Sequence, residues 1–469
     1  MEWFEEIDKE LYELGCEENL IYYYQDTGKS LDRERLSNIS ERRRELLLEP
    51  GLILKVKEAE KHREHLIKRK AELLERLIIN ANIEYDPVLF EIKNEINERQ
   101  HQFDFSSIWE TLSSSPNRKE RRDAYLSQIS HLEPIENLFR QFVTQANAIS
   151  RRLGFSNYIE AKSYIEETDF EEIIDFMNYA IKKTEKIWQE FIEDGKKNIK
   201  DTPQPYDIDY LTEQKLEKIG DKQFGQDEII NTLKDTLSLF GLKYSELPIS
   251  IESHNVPYAG ACYPIKVNKG IRLVVGKLRG YDSCKTLFHE FGHAIYYCFC
   301  PQNSEILIDN HLMREIMADI WKGMAETREW LEKISHLSPD SIEKIINNHD
   351  LHKALWTRPL IREYLFEIEI FKNEKEKFSD IWNKVTNEIL FFTDKTGVYS
   401  DWDFEHPLDI KTYVLSTFIV DTIMNFIRGK FSHILQEDVF DFLVEKLYKP
   451  GNTINYKEKL KSVGYQFRD

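Results

Sequence analysis

Two histidines four residues apart, in the run His289-Glu290-Phe291-Gly292-His293, constrain this 469-residue chain more than any other feature. On a helix, residues i and i+4 share one face and stand one turn apart. The spacing aims two imidazoles at a single point, where one metal ion can be held. Glu290, beside the first histidine, is placed to take a proton from a water at that point. The flanks agree with a helix. Leu287, Phe291, Ala294, Ile295 and Cys298 recur at helical spacing and form an apolar stripe. Asp282 or Ser283, just after Gly280, is expected to cap its start.

A hydrolytic zinc site takes three protein ligands and leaves one position open. A second helical stretch, from His311 to Trp330, offers the third. Glu315 follows His293 by 22 positions, and Asp319 comes four residues later on the same helical face. Leu312, Ile316, Ile320 and Met324 form the apolar stripe of that stretch. Glu315 is therefore the expected third ligand of one zinc per chain. Asp319 is the expected carboxylate behind a ligating imidazole, fixing its tautomer. His311 and Glu305 stand as rival third ligands.

The stretch from about Tyr258 to Asp319 resembles the glutamate-zincin peptidases. It is similar both to angiotensin-converting-enzyme-type dipeptidyl carboxypeptidases and to enzymes of the thimet-oligopeptidase or oligoendopeptidase type. Gly260-Ala261-Cys262 and the segment from Gly270 to Val275 precede the histidine motif as a strand does in those families. Glu315-Ile316-Met317-Ala318-Asp319 is closer to the converting-enzyme group. Arg121-Arg122-Asp123-Ala124-Tyr125 and the run from Arg151 to Tyr158 resemble the helical region common to both. The likeness is strong only around the metal motif.

The resemblance implies a mostly α, large helical two-lobed zinc peptidase with a deep cleft and a small antiparallel sheet near the active site. It implies short unfolded peptides as substrates, cut internally as by an oligoendopeptidase. Removal of C-terminal dipeptides is the alternative within the class. A peptide-binding protein with a vestigial site is the alternative outside it. Gly260, Ala261 and Leu273 are expected to contact substrate, with the strand from Ile271 to Val275 pairing to its backbone. The resembled enzymes also carry a histidine and one or two tyrosines near the positions of His406 and Tyr413, which contact substrate and stabilise the oxyanion. Without gaps, Tyr413 falls on a substrate-carboxylate position and Ser416 on the oxyanion position. With a short deletion Tyr413 becomes the oxyanion donor, the preferred option because the chemistry needs one. The lysine and arginine of converting enzymes are replaced by Phe404 and Leu415, which argues against their carboxylate anchor.

The rest of the chain agrees with a non-membrane enzyme. Its 83 acids against 64 bases leave a net charge of -19, which disfavours nucleic acid and anionic membranes as partners. Five cysteines, an odd number, make no disulfide framework. Met1 to Glu6 lacks the blocks of a signal peptide, and no run of about 18 apolar residues exists to span a bilayer. A reducing, cytoplasmic setting is expected. Charged helical sequence from Glu41 to Asn80 is expected to form a hairpin with Phe90 to Gln102 as part of a lid. The break at Asp201-Thr202-Pro203-Gln204-Pro205 is the expected boundary between an N-terminal helical lobe with its lid, 1–200, and a zinc-containing catalytic lobe, 201–469. Strand signals are confined to Pro248–Val275.

Overall fold

The computed structural model describes residues 2–100, 104–216, 224–256, 258–301, 303–392 and 406–467. Helices dominate them, with one three-stranded sheet. The chain forms two compact units, both discontinuous in sequence. The first comprises Met1–Ile78, Lys218–Asn347 and Leu415–Asp469, and the second Ile79–Glu217 and Asn348–Val414. The boundary expected between residues 200 and 201 falls inside the second unit. There the Asp201–Pro205 break is a turn between the helices Phe170–Ile199 and Pro205–Lys215. Fully buried Asp207 holds the turn in place, accepting from Arg121 Nη2 at 2.7 Å and Arg118 Nε at 3.0 Å. Proline there fits the first turn of a helix, whose N–H groups have no partner to lose.

The second unit is helical among its described residues. Helix Phe170–Ile199 shows how local sequence sets an element. Asp169 caps it by accepting from the Glu172 N–H, acids fill the first turn, and Lys196 and Lys197 fill the last. Its Trp188 is fully buried and donates to the Leu390 carbonyl at 3.1 Å. Arg358 is buried beside it, donating to Thr184 Oγ1 at 3.0 Å and the Ile181 carbonyl at 2.8 Å.

The first unit holds the sheet. Strands β1 (Ile249–Ser253), β2 (Gly260–Lys266) and β3 (Gly270–Val275) lie in the order β1-β3-β2. β2 and β3 are antiparallel, but β1 and β3 are parallel, so the sheet is mixed rather than antiparallel. β3 lies between the other two strands and pairs with both.

Behind the sheet runs the motif helix, Gly280–Phe299. It starts earlier than the expected cap. Arg279 is the cap residue without a side-chain bond, and Gly280 adopts φ +78°, a backbone state that favours glycine. Ser283 Oγ instead donates to the Arg279 carbonyl at 2.8 Å, and Asp282 pairs with Lys285 at 2.8 Å. The carboxylate helix, His311–Ala325, is capped by Asn310, which accepts from the Met313 N–H at 3.0 Å. It ends before Trp330, because Thr327 caps a new helix, Arg328–Lys333. Beneath both helices, Phe291 packs edge-on to Trp321 at 5.1 Å, and Trp321 Nε1 donates to Tyr448 Oη at 3.1 Å.

Two buried acids anchor the loop joining these helices. Asp8 of the first helix, Glu2–Asp26, accepts from Ser304 Oγ at 2.6 Å and the Ile306 N–H at 3.0 Å. The N-terminal helix is thus part of the unit that carries the metal motif, not of a separate lobe. Asp309 takes both carboxylate contacts from Lys459 Nζ at 2.6 Å, and Lys459 also donates to the Gly451 carbonyl at 3.1 Å. Burial pushes the Asp309 carboxyl up and Lys459 down, against the attraction of the pair. Among the described residues no helix is long and apolar enough to cross a membrane, and all five cysteines are free thiols.

Removing one partner of a buried pair strands the other charge without solvent. Lys459→Ala should therefore destabilise the protein by about 3 kcal/mol or more, as measured by urea unfolding. A loss below about 1 kcal/mol would mean that Asp309 does not depend on this lysine.

Candidate metal centre

The centre is made where the motif helix crosses the carboxylate helix. Gly292 sits at the crossing. A Cβ there would lie 2.6 Å from Ala318 Cα and 3.0 Å from the Met317 and Ala318 carbonyl oxygens. The bare glycine therefore lets the two backbones touch. That contact sets the side chains above it. His289 Nε2 lies 3.4 Å from Glu315 Oε2, and His293 Nε2 lies 3.5 Å from Glu315 Oε1. The two imidazole rings stand perpendicular with centroids 4.9 Å apart. The ligand atoms of His289, His293 and Glu315 all fall within 4.8 Å of one another.

These residues fit a metal. Glu315 Oε2 is buried and accepts no hydrogen bond, a costly state for a carboxylate oxygen. The nitrogen–oxygen separations of 3.4–3.5 Å exceed a good charge-assisted hydrogen bond. They match two ligands sharing one ion: atoms about 2.0–2.2 Å from a tetrahedral zinc stand roughly 3.3–3.6 Å apart. His311 does not join the set. It lies one turn before Glu315, with Nε2 3.3 Å from Glu315 Oε1, and pairs with that carboxylate instead. Glu305 is not a ligand either. Its Oε2 lies 3.1 Å from where a Cβ of Gly15 would be, against the first helix.

Asp319 lies one turn beyond Glu315. Its Oδ1 is 3.0 Å from His289 Nδ1, so Nδ1 is placed to donate to it and Nε2 faces Glu315. Its Oδ2 accepts from Ser416 Oγ at 2.6 Å, and Lys322 Nζ stands 3.5 Å away. Ser416 is fully buried and committed to Asp319, so it is not the oxyanion donor that a gap-free alignment would make it. The roles of Ser416 and Lys322 could not be read from sequence. Lys322 at i+3 from Asp319 was visible as a spacing, but Ser416 lies 97 residues from its acceptor.

Burial works against the charged form of every group here, and the partners decide each outcome. For His289, burial is overcome by the Asp319 carboxylate on one side and the Glu315 carboxylate on the other, which raise its pKa to about 10. His293 yields to burial and falls to about 3. Burial lifts Glu290 to about 7, with His289 opposing and Glu315 adding. Asp319 is raised by burial, but Lys322, then His289 and Ser416, hold it at about 2. Glu315, despite burial, is held well below the usual carboxylate range by His289, His311 and His293. Two imidazoles and the Glu315 carboxylate thus share one buried region whose donor set and negative charge suit a divalent ion.

Glu290 faces the sheet. A Cβ on Gly260 would lie 2.7 Å from Glu290 Cγ and 3.4 Å from its Cδ, so the start of β2 runs directly against this glutamate. Gly260 and Ala261 therefore sit beside the site on an edge strand. Leu273 does not. It is fully buried on the central strand, paired to Ile251 on one side and Cys262 on the other. The segment from Ile271 to Val275 has both edges occupied and cannot receive a further strand. His406 and Tyr413 belong to the second unit. His406 is exposed, and Tyr413 is half-buried on the first turn of the helix Lys411–Lys430, three residues before Ser416. Phe404 lies outside the described residues, and Leu415 is fully buried.

The chain shares its fold with solved carboxypeptidase and oligoendopeptidase structures. No family model matches the chain, and no curated protein matches it either. Solved structures do. The chain is similar to Trypanosoma cruzi metallocarboxypeptidase 1, with TM-score 0.71 and 13% identity over 99% of this chain and 96% of that one. It is similar to a putative oligoendopeptidase F from Bacillus anthracis strain Ames, with TM-score 0.66 and 14% identity over 97% and 86%. It is also similar to an M32 carboxypeptidase from Deinococcus radiodurans R1, with TM-score 0.63 and 12% identity over 99% and 95%. Identity this low establishes a common architecture, not a common reaction.

Alanine is a better helix former than glycine by about 1 kcal/mol, so Gly292→Ala would stabilise an isolated helix. Here its methyl meets backbone that cannot swing aside, and overpacking costs about 1–3 kcal/mol. The variant should melt lower and bind zinc at least tenfold more weakly, read by thermal unfolding and chelator competition. Unchanged affinity would show that the helix crossing does not set the ligand spacing.

Proposed function

We propose that the chain is a zinc metallopeptidase, one ion per chain, that hydrolyses peptide bonds in short unfolded peptides as an oligoendopeptidase. The single observation that carries this reading is the buried, unpartnered Glu315 Oε2 between two imidazoles, with Glu290 alongside. His289, His293 and Glu315 would hold the ion. When bound, such an ion makes a water nucleophilic near neutral pH and polarises a carbonyl.

This chain's residues supply the rest. Glu290 accepts the proton of the attacking water on its carboxylate and passes it to the leaving amine. A pKa lifted by burial suits both transfers. The outer edge of β2, at Gly260 and Ala261, receives the peptide main chain as an added strand, beside Glu290. Such pairing reads backbone more than side chains. The Tyr413 hydroxyl donates to the developing oxyanion, with His406 as a second contact. Its place one turn before Ser416 on the same helix supports that role. Free thiols support a reducing, cytoplasmic setting.

A carboxypeptidase is the second reading. It is favoured by likeness to two carboxypeptidases whose chains are covered to 96% and 95%. Mass spectrometry of products from peptides with free and amidated C-termini separates the two. Internal cleavage of the amidated peptide supports the oligoendopeptidase, and dependence on a free carboxylate supports the alternative. No cleavage of either peptide by zinc-loaded protein would leave a vestigial site.

Glu290→Gln should keep stoichiometric zinc and lose nearly all hydrolysis, by more than about 1000-fold in kcat. Turnover retained in that variant would remove Glu290 as the base. Tyr413→Phe should lower kcat by about 100-fold with little change in KM, and an unchanged kcat would return Tyr413 to a packing role.

A further inference from the structure

The helix Lys411–Lys430 meets the centre at a buried bond from Ser416 Oγ to Asp319 Oδ2 at 2.6 Å. Ser416 is fully buried, so water cannot replace its hydroxyl easily. Asp319 uses its other oxygen for His289 Nδ1, 3.0 Å away. The three groups form a chain: hydroxyl to carboxylate to imidazole. Lys322, at 3.5 Å from Oδ1, is too far to hold the carboxylate plane by itself.

From this geometry we infer that Ser416 is a positioning residue for the metal, acting through Asp319 to fix the orientation and tautomer of His289. The inference rests on reading His289, His293 and Glu315 as metal ligands. A carboxylate with one oxygen unsatisfied in a buried site turns toward any available donor. Without the Ser416 hydroxyl, Asp319 is free to rotate about its last side-chain bond, and Oδ1 leaves the line of Nδ1. The imidazole then loses the partner that keeps its proton on Nδ1 and its Nε2 lone pair aimed at Glu315. Partners of this outer kind typically contribute about 10- to 100-fold in metal affinity. Ser416 acts one bond further out, so the lower end of that range is expected.

The test uses zinc alone, titrated into the full chain against a competing chelator, so it needs no peptide hydrolysis. Ser416→Ala should bind zinc about tenfold more weakly than wild type. Asp319→Ala should lose about 10- to 100-fold. Adding Ser416→Ala to Asp319→Ala should change affinity by less than about twofold, because the relay is already cut. Ser416→Cys fills nearly the same volume but donates weakly, so it should resemble the alanine variant. Wild-type affinity in either single Ser416 variant would overturn the inference. So would a tenfold further loss in the double variant, which would mark a packing effect unrelated to Asp319. A wild-type chain that binds no zinc would sink the ligand assignment and this inference together. Zinc binding with no hydrolysis would sink only the proposed reaction.

Discussion

The backbone contact between Gly292 and Ala318 is the constraint on which the rest of the candidate site depends. The ligands come from two helices, and their separation is the separation of those helices. A single Cβ at Gly292 would push into backbone at 2.6 Å, so the crossing tolerates no side chain there. Much of the first unit serves to hold the crossing. Phe291 and Trp321 fill the space beneath it, and Tyr448 satisfies the indole N–H. Asp8 and Lys459 pin the loop that returns the chain from one helix to the other. Helix packing fixes position to fractions of an ångström because interiors are close-packed and yield little.

Electrostatics works against this packing and gives the site its chemistry. Glu290, Glu315 and Asp319 are brought together out of water, and their neighbours offset the cost of burial unequally. The partners are graded. Asp319 has Ser416, Lys322 and His289, while one oxygen of Glu315 accepts no hydrogen bond. Glu290 has burial without a strong partner, which lifts it toward neutral pH. The same three acids thus come out with different proton affinities, set by neighbours rather than by residue type. That separation of roles is what a site needs to hold a cation with one carboxylate and move a proton with another.

The histidine motif, the helix around it, the candidate ligand Glu315 and the orienting Asp319 were legible because each is a matter of helical spacing. Periodicity of 3.6 puts 289 with 293, and 315 with 319, whatever the rest of the chain does. Helical dominance followed from the same periodicity. The strand segments were legible too, but their pairing was not. Alternation of side chains says which segments extend, not which edge each one meets. Leu273 was therefore read as an open edge when it lies in the middle of the sheet.

Sequence by itself determined the chemistry available: two imidazoles and two carboxylates at spacings that a helix turns into shared faces. Only the tertiary structure decided what those faces meet. It placed Ser416 on Asp319 and Gly260 against Glu290, and grouped the first 78 residues with the metal motif. It also turned the Pro-rich break near residue 203 into a turn within one core. The physical reason is range. Helical spacing is a local property of the backbone, whereas contacts such as Arg121–Asp207 and Asp319–Ser416, 86 and 97 positions apart, depend on how whole elements pack.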